Sequence, residues 1–235
     1  VVDHLGQLGS VHVVMVPPSR PNPAHDGSVH TTIVDHPLAQ QALTTLRDQE
    51  TDRAAFRSAM DELAGILVYE ATRQVRASTI EVTTPMATTE GVAIAEPPMA
   101  VPILRAGLGL LPGVLRYLPH APTGFIGVAR NEETLQPEPY MNSVPDDLGG
   151  RDVLVLDPML ATGGSLTYAC GLLRDRNPGR LVAVCVLAAP EGVAALDRSG
   201  LADELVVASI DDHLDGTSYI VPGLGDAGDR QYGTA

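Results

Sequence analysis

Apolar positions along this chain follow two rhythms. Short unbroken runs at 101–104, 125–129, 153–156, 181–188 and 205–208 have the length and β-branched content of strands buried on both faces. Leu166, Ala169, Cys170, Leu172 and Leu173 recur at the spacing of a helix with one buried face, and residues 191–198 read as a second, shorter helix. Strand, helix and strand repeated in this way predict an α/β fold built on a parallel sheet flanked by helices, with right-handed crossovers. Upstream, Pro37 opens a helix carrying Leu38, Ala42, Leu43 and Leu46. A second helix, capped by Thr51 and running to about residue 74, carries Phe56, Met60, Leu63 and Leu67. Residues 79–83 alternate polar and apolar, and 91–94 could return as a partner, so a β-hairpin is expected. Residues 1–28, with Pro17, Pro18, Pro21 and Pro23 close together, predict a mobile extension, which leaves 29–235 as one domain.

Composition narrows the partners. The chain has 29 acidic residues against 15 basic ones, all arginine, and a net charge of −14. That balance disfavours nucleic-acid binding, which needs a basic footprint. No apolar run approaches the length of a membrane span, and no basic leader opens the chain, so neither membrane nor export is expected. Cys170 and Cys185 sit in apolar runs and read as buried free thiols, which suits a reducing cytoplasm.

The chemistry concentrates in VLVLDPMLATGGS, residues 153–165. Asp157 closes a buried strand at the edge where α/β sheets bind ligands, and Thr162, Gly163, Gly164 and Ser165 make a small hydroxyl-bearing turn at a helix start. Free backbone N–H groups and the helix dipole favour a phosphate there. Many such turns bind nothing, so the turn alone leaves phosphate binding open. A nucleoside-triphosphate P-loop is excluded because the chain has no lysine, and no G-x-G-x-x-G follows this strand. Arg105 stands at the end of the 101–104 run, on the same edge as Asp157 if the strands are parallel.

These residues resemble type I phosphoribosyltransferases, and the DPMLATGGS form resembles the uracil branch of that family. HPLAQQALTTLRD at 36, YEAT at 69, VPILRAGLG at 101, RNEETLQPEPY at 130, AAPEG at 188 and YIVPGLGDAGDRQYGT at 219 follow in the family's order. The resemblance implies transfer of a phosphoribosyl group from phosphoribosyl pyrophosphate (PRPP) to uracil, giving uridine monophosphate (UMP) and pyrophosphate, with Mg2+. It implies that Asp157, Pro158, Met159, Leu160, Ala161, Thr162, Gly163, Gly164 and Ser165 hold the ribose and its 5′-phosphate, and that Arg105 and Arg130 contact the pyrophosphate. Residues 209–235 become a hood in which Ile220, Gly225, Asp226 and Ala227 face uracil. Asp226 also reaches the sugar ligand and the metal, and joins Asp157 and Arg105 as a catalytic residue. The resemblance further implies a closing loop after Arg130, a β-arm over about 78–96 that joins a homodimer or higher homo-oligomer, and guanosine triphosphate (GTP) as an effector seen in some relatives.

Departures from the family pattern remain. Pro158 follows Asp157 where the wider family places a second acid, and Asp226 is the candidate to replace it. DDHLDG at 211–216 differs from the expected form and leaves His213 and Asp215 at the rim without a role. Glu132 and Glu133 read as a solvated loop face rather than a catalytic pair. The competing function is a nucleotide-sensing regulator on the same fold, against which the acidic composition counts.

Overall fold

The computed structural model describes residues 28–130 and 137–234; the expected N-terminal extension and most of the loop after Arg130 lie outside them. In chain order the elements are β1 (His30–Ile33), α1 (Pro37–Arg47), α2 (Arg53–Ala71), β2 (Ala77–Thr83), β3 (Thr88–Ile94), β4 (Met99–Leu104), a 3-10 turn (Ala106–Gly109) and α3 (Leu111–Tyr117). They continue with β5 (Ile126–Arg130), β6 (Pro137–Asn142), β7 (Val153–Leu156), β8 (Met159–Leu160), α4 (Gly164–Arg174), β9 (Leu181–Ala188), α5 (Pro190–Ser199) and β10 (Glu204–Ile210). The last elements are β11 (His213–Leu214), β12 (Ile220–Val221) and α6 (Ala227–Tyr232).

The main sheet runs β1-β10-β9-β7-β4-β5-β6, with β8 paired to the end of β9. Its central strands are buried on both faces because helices cover each side, as the unbroken apolar runs require. Alternate residues divide between two cores. Leu154, Leu156, Val182, Val184 and Val206 pack in one core with Leu46, Phe56, Met60, Leu63 and Val114 of α1, α2 and α3. Val153, Val155, Leu181, Ala183, Cys185 and Val207 pack in the other with Leu166, Ala169, Cys170 and Leu173 of α4 and Leu196 of α5. No helix among the described residues is long and apolar enough to cross a membrane.

The structure adds to and corrects the expected sheet. It is mostly parallel, but β6 runs antiparallel to β5 at one edge. At the other edge β1, too short and polar to register as a periodic run, pairs with β10. The strand expected at 125–129 lies one residue later. Asp52, not Thr51, caps α2, its carboxylate accepting the Ala55 N–H at 2.8 Å, and the helix ends at Ala71 rather than near 74. His36 caps α1, Nδ1 accepting the Leu38 N–H at 3.2 Å. The arm is an antiparallel β2–β3 hairpin off the main sheet, with Ile80, Val82, Met86, Val92 and Ile94 exposed.

The segment after β10 docks through two arginines. Arg47 of α1 grips the buried carboxylate of Asp211 with both terminal nitrogens, at 2.7 and 2.6 Å, and donates to the Gly223 carbonyl at 2.9 Å. The Gly223 N–H returns to Asp211 at 2.9 Å. Arg230 donates to the carbonyls of Leu46, Leu224 and Asp48 and lies over the Phe56 ring at 4.4 Å. Desolvation pushes the Asp211 carboxyl up, but hydrogen bonds from Arg47 and Gly223 together outweigh it and hold the group below its ordinary value.

Asp211→Ala leaves Arg47 facing a carbonyl and no anion. It is expected to lower stability by about 3 kcal/mol, as for a broken buried ion pair, and the melting temperature by roughly 6–12 °C for a domain of this size. Thermal unfolding checks both. With its folded pKa depressed, Asp211 stabilises the native protein above the ordinary aspartate pKa of about 4 and loses that effect as pH falls below it, so the native–variant gap closes in acid.

Candidate active site

β4 and β7 are parallel neighbours, with Pro102 opposite Leu156, so Arg105 and Asp157 leave the sheet at the same edge. The turn after Arg105 lies on the end of β7. A Cβ at Gly107 would stand 2.3 Å from the Leu156 carbonyl oxygen, so only glycine permits this approach. Asp157 is mostly enclosed. Loss of hydration raises its carboxyl to about 7, against a weak opposing hydrogen bond from the Met159 N–H at 3.4 Å.

The turn expected to bind phosphate forms at the start of α4. Gly163 has φ 84°, a left-handed conformation, no side chain caps the helix, and the Gly164 N–H makes only a long 3.5 Å bond to the Thr162 hydroxyl, which leaves the first N–H groups accessible to an anion. Thr162 and Gly164 are exposed, and Ser165 is partly so. The AAPEG segment supports this turn from behind: a Cβ at Gly192 would meet the carbonyl oxygens of Ala161 and Leu160 at 2.4 and 2.5 Å. The side chains of Pro158 and Leu160 are buried. Their carbonyls accept the N–H groups of Val186, Leu187 and Ala189, so they shape the loop from behind.

A cavity of about 750 Å³ opens beside this edge. It is lined by Ala106, Met159, Ala161, Ile220, Gly225, Asp226 and Ala227, so the RAG turn, the central loop and the GLGDAGD segment share one space. Gly225 reaches its place with φ 77°, and Val221–Pro222 is cis. Asp226 has a double position: it lines the cavity, and its carboxylate caps α6 by accepting the Asp229 N–H at 2.8 Å. Arg105 reaches across to Asp229 at 3.2 Å, both side chains nearly half exposed. Such an exposed pair is worth only about 0–1 kcal/mol, so an incoming polyanion can take the guanidinium at little cost. The β5 backbone ends at Arg130 on the same edge, beside Pro137. Glu132 and Glu133 lie outside the described residues.

Sequence reasoning missed the outer wall, Gly216, Thr217, Ser218 and Tyr219. Asp215 organises it, accepting the N–H groups of Tyr219 and Thr217, each at 2.8 Å, and the Thr217 hydroxyl at 2.9 Å. These bonds, led by the one from Tyr219, hold its carboxyl below the usual range. The signal was present as an aspartate two residues before a threonine in a glycine-containing turn. Asp215 is exposed, as is His213 on β11, in keeping with the rim position expected for both.

No group of three or more His, Cys, Asp or Glu side chains among the described residues is placed to hold a metal. Asp157 and Asp226 offer one carboxylate each, which suits a magnesium ion that binds chiefly through substrate phosphates and keeps several waters.

The family model for uracil phosphoribosyltransferase matches residues 33–234. A protein of that name from Corynebacterium diphtheriae is 53% identical over 201 residues, covering 86% of this chain and 95% of the relative. One from Streptomyces griseus is 54% identical over 206 residues, covering 86% and 98%. Among solved structures, the AQ2163 protein from Aquifex aeolicus superposes with a TM-score of 0.82 at 38% identity, over 87% of this chain and 99% of that one.

An aspartate with a raised folded pKa holds its proton more tightly folded than unfolded, so it subtracts stability as pH rises from about 4 to about 7. Asp157→Asn removes that loss. The variant is expected to gain on the native protein by roughly 1 kcal/mol per pH unit across the window, read by denaturant unfolding at pH 5, 6 and 7.

Proposed function

The chain belongs to the uracil phosphoribosyltransferase family, and from that premise we propose that it transfers the phosphoribosyl group of PRPP to uracil, releasing pyrophosphate and forming UMP. The observation that carries this reading is the cavity in which the turn after Arg105, the 159–161 loop and residues 220–227 converge. We read residues 29–235 as one working unit.

The division of labour follows the chemistry. Breaking the bond from the anomeric carbon to pyrophosphate develops positive charge on the ribose ring and negative charge on the leaving group. The open N–H groups at 163–165, with the Thr162 and Ser165 hydroxyls, suit the 5′-phosphate. Asp157 accepts hydrogen bonds from the ribose hydroxyls, and its anionic form offsets charge on the ring. Arg105 leaves Asp229 for the pyrophosphate, with Arg130 as its second cation. Asp226 would offer its carboxylate to a magnesium ion, which when bound would supply further neutralisation of the leaving group. Backbone groups at Ile220, Gly225 and Ala227 orient uracil so that a ring nitrogen faces the anomeric carbon. Main-chain donors and acceptors have fixed identity, so cytosine would leave groups unpaired.

The exposed apolar side chains of the arm support self-association through β2–β3 into a homodimer or larger assembly. Two buried thiols without a disulfide support a cytoplasmic setting.

The test is product formation from PRPP with uracil, cytosine, orotate and hypoxanthine, with magnesium, with and without GTP. UMP from uracil alone is the expected outcome, and product from another base instead would overturn the assignment. Asp157→Ala and Arg105→Ala are each expected to lower turnover about tenfold or more with the fold intact. Unchanged turnover removes that residue from the mechanism. Because Asp157 acts as an anion, kcat/KM for PRPP is expected to fall as pH drops below about 7.

A further inference from the structure

Gln231 of α6 is fully buried where α6, α2 and the 106–109 turn meet. Its Nε2 donates to two carbonyls, Ala106 at 3.1 Å and Ala227 at 2.9 Å. Ala106 follows the pyrophosphate arginine, Ala227 belongs to the base pocket, and both line the cavity. The chain makes room for this amide. A Cβ at Gly109 would stand 1.7 Å from the Gln231 Oε1, and that oxygen is buried without a hydrogen-bond partner. Arg57 of α2 holds the residue from behind, donating to its main-chain oxygen at 2.7 Å. An apolar side chain of similar size would fill the same volume and leave no oxygen unpaired. What the amide alone adds is a pair of N–H donors tying together the two ligand-facing segments.

We propose that Gln231 is a positioning residue that links the base pocket to the pyrophosphate turn, so that filling either one orders the other. This rests on the base-pocket reading above. The exposed Arg105–Asp229 pair spans the same junction, but it breaks when Arg105 turns to an anion. The Gln231 link has no such competitor and persists with both ligands bound. By linkage the effect is reciprocal: uracil tightens PRPP by the factor by which PRPP tightens uracil.

Hydrogen exchange on the full chain reads both ends at once. In the native enzyme, saturating uracil is expected to slow exchange of the 105–110 amides about fivefold, together with those of 225–229. Gln231→Met keeps the volume and removes the donors. In it, protection at 225–229 persists, protection at 105–110 is lost, and KM for PRPP rises about fivefold while kcat stays within about threefold. Native protection confined to 225–229 overturns the proposal, as does a Gln231→Met enzyme with native exchange and native KM. Protection at neither segment overturns the base-pocket reading and the proposal with it. If Gln231→Met does not fold, the native experiment alone decides.

Discussion

The approach of Gly107 to the Leu156 carbonyl is the contact on which the site depends. Two parallel strands deliver Arg105 and Asp157 to one edge, but strand ends alone would leave the following turns to diverge. A residue without a side chain lets the turn after β4 lie on the backbone at the end of β7, and so sets the spacing between the cation and the acid. The same device recurs at Gly192 against the carbonyls of Leu160 and Ala161. Backbone packed on backbone is stiffer than side chain packed on side chain, and that stiffness is what a site of fixed N–H groups requires.

Arginine supplies the second ordering principle. Arg47 and Arg230 fasten the segment after β10 to α1 and α2, largely through main-chain carbonyls. A rigid fork with several donors fits that task, and a flexible ammonium would not reproduce it. The cavity wall formed by residues 220–227 is therefore held by contacts to α1 and α2, which do not line the cavity. Arg105 is the contrast: half exposed and lightly paired, it is free to change partners.

Much of this was legible in the sequence. Val153–Leu156 and Leu181–Ala188 form strands over the residues their apolar runs mark, because strands buried on both faces leave no polar interruption. Asp157, the 162–165 turn and residues 220–227 could be placed through motif resemblance, and the structure gathers them at one edge. β1 was invisible because a polar edge strand has no period to read. The role of Asp215 was hidden because it lies in hydrogen bonds within a loop, and the role of Gln231 because burial of a lone polar residue is a tertiary fact. The main-chain bonds that Pro158 and Leu160 accept from Val186, Leu187 and Ala189 were hidden in the same way, because a motif names residues and not the contacts that hold them.

The order of elements in the chain also bears on its synthesis. β1 pairs with β10, and α1 receives Asp211 and Arg230, so these early elements wait for partners translated 164–184 residues later. Until then the emerging chain holds the Asp157 loop and the Arg105 turn but neither the wall at 216–228 nor the strand that pairs with β1. Such long-range closure is slow, and it exposes apolar surface while it waits. A ribosome that pauses before β10 would leave a nascent chain with one wall of the cavity in place and the opposite wall not yet made.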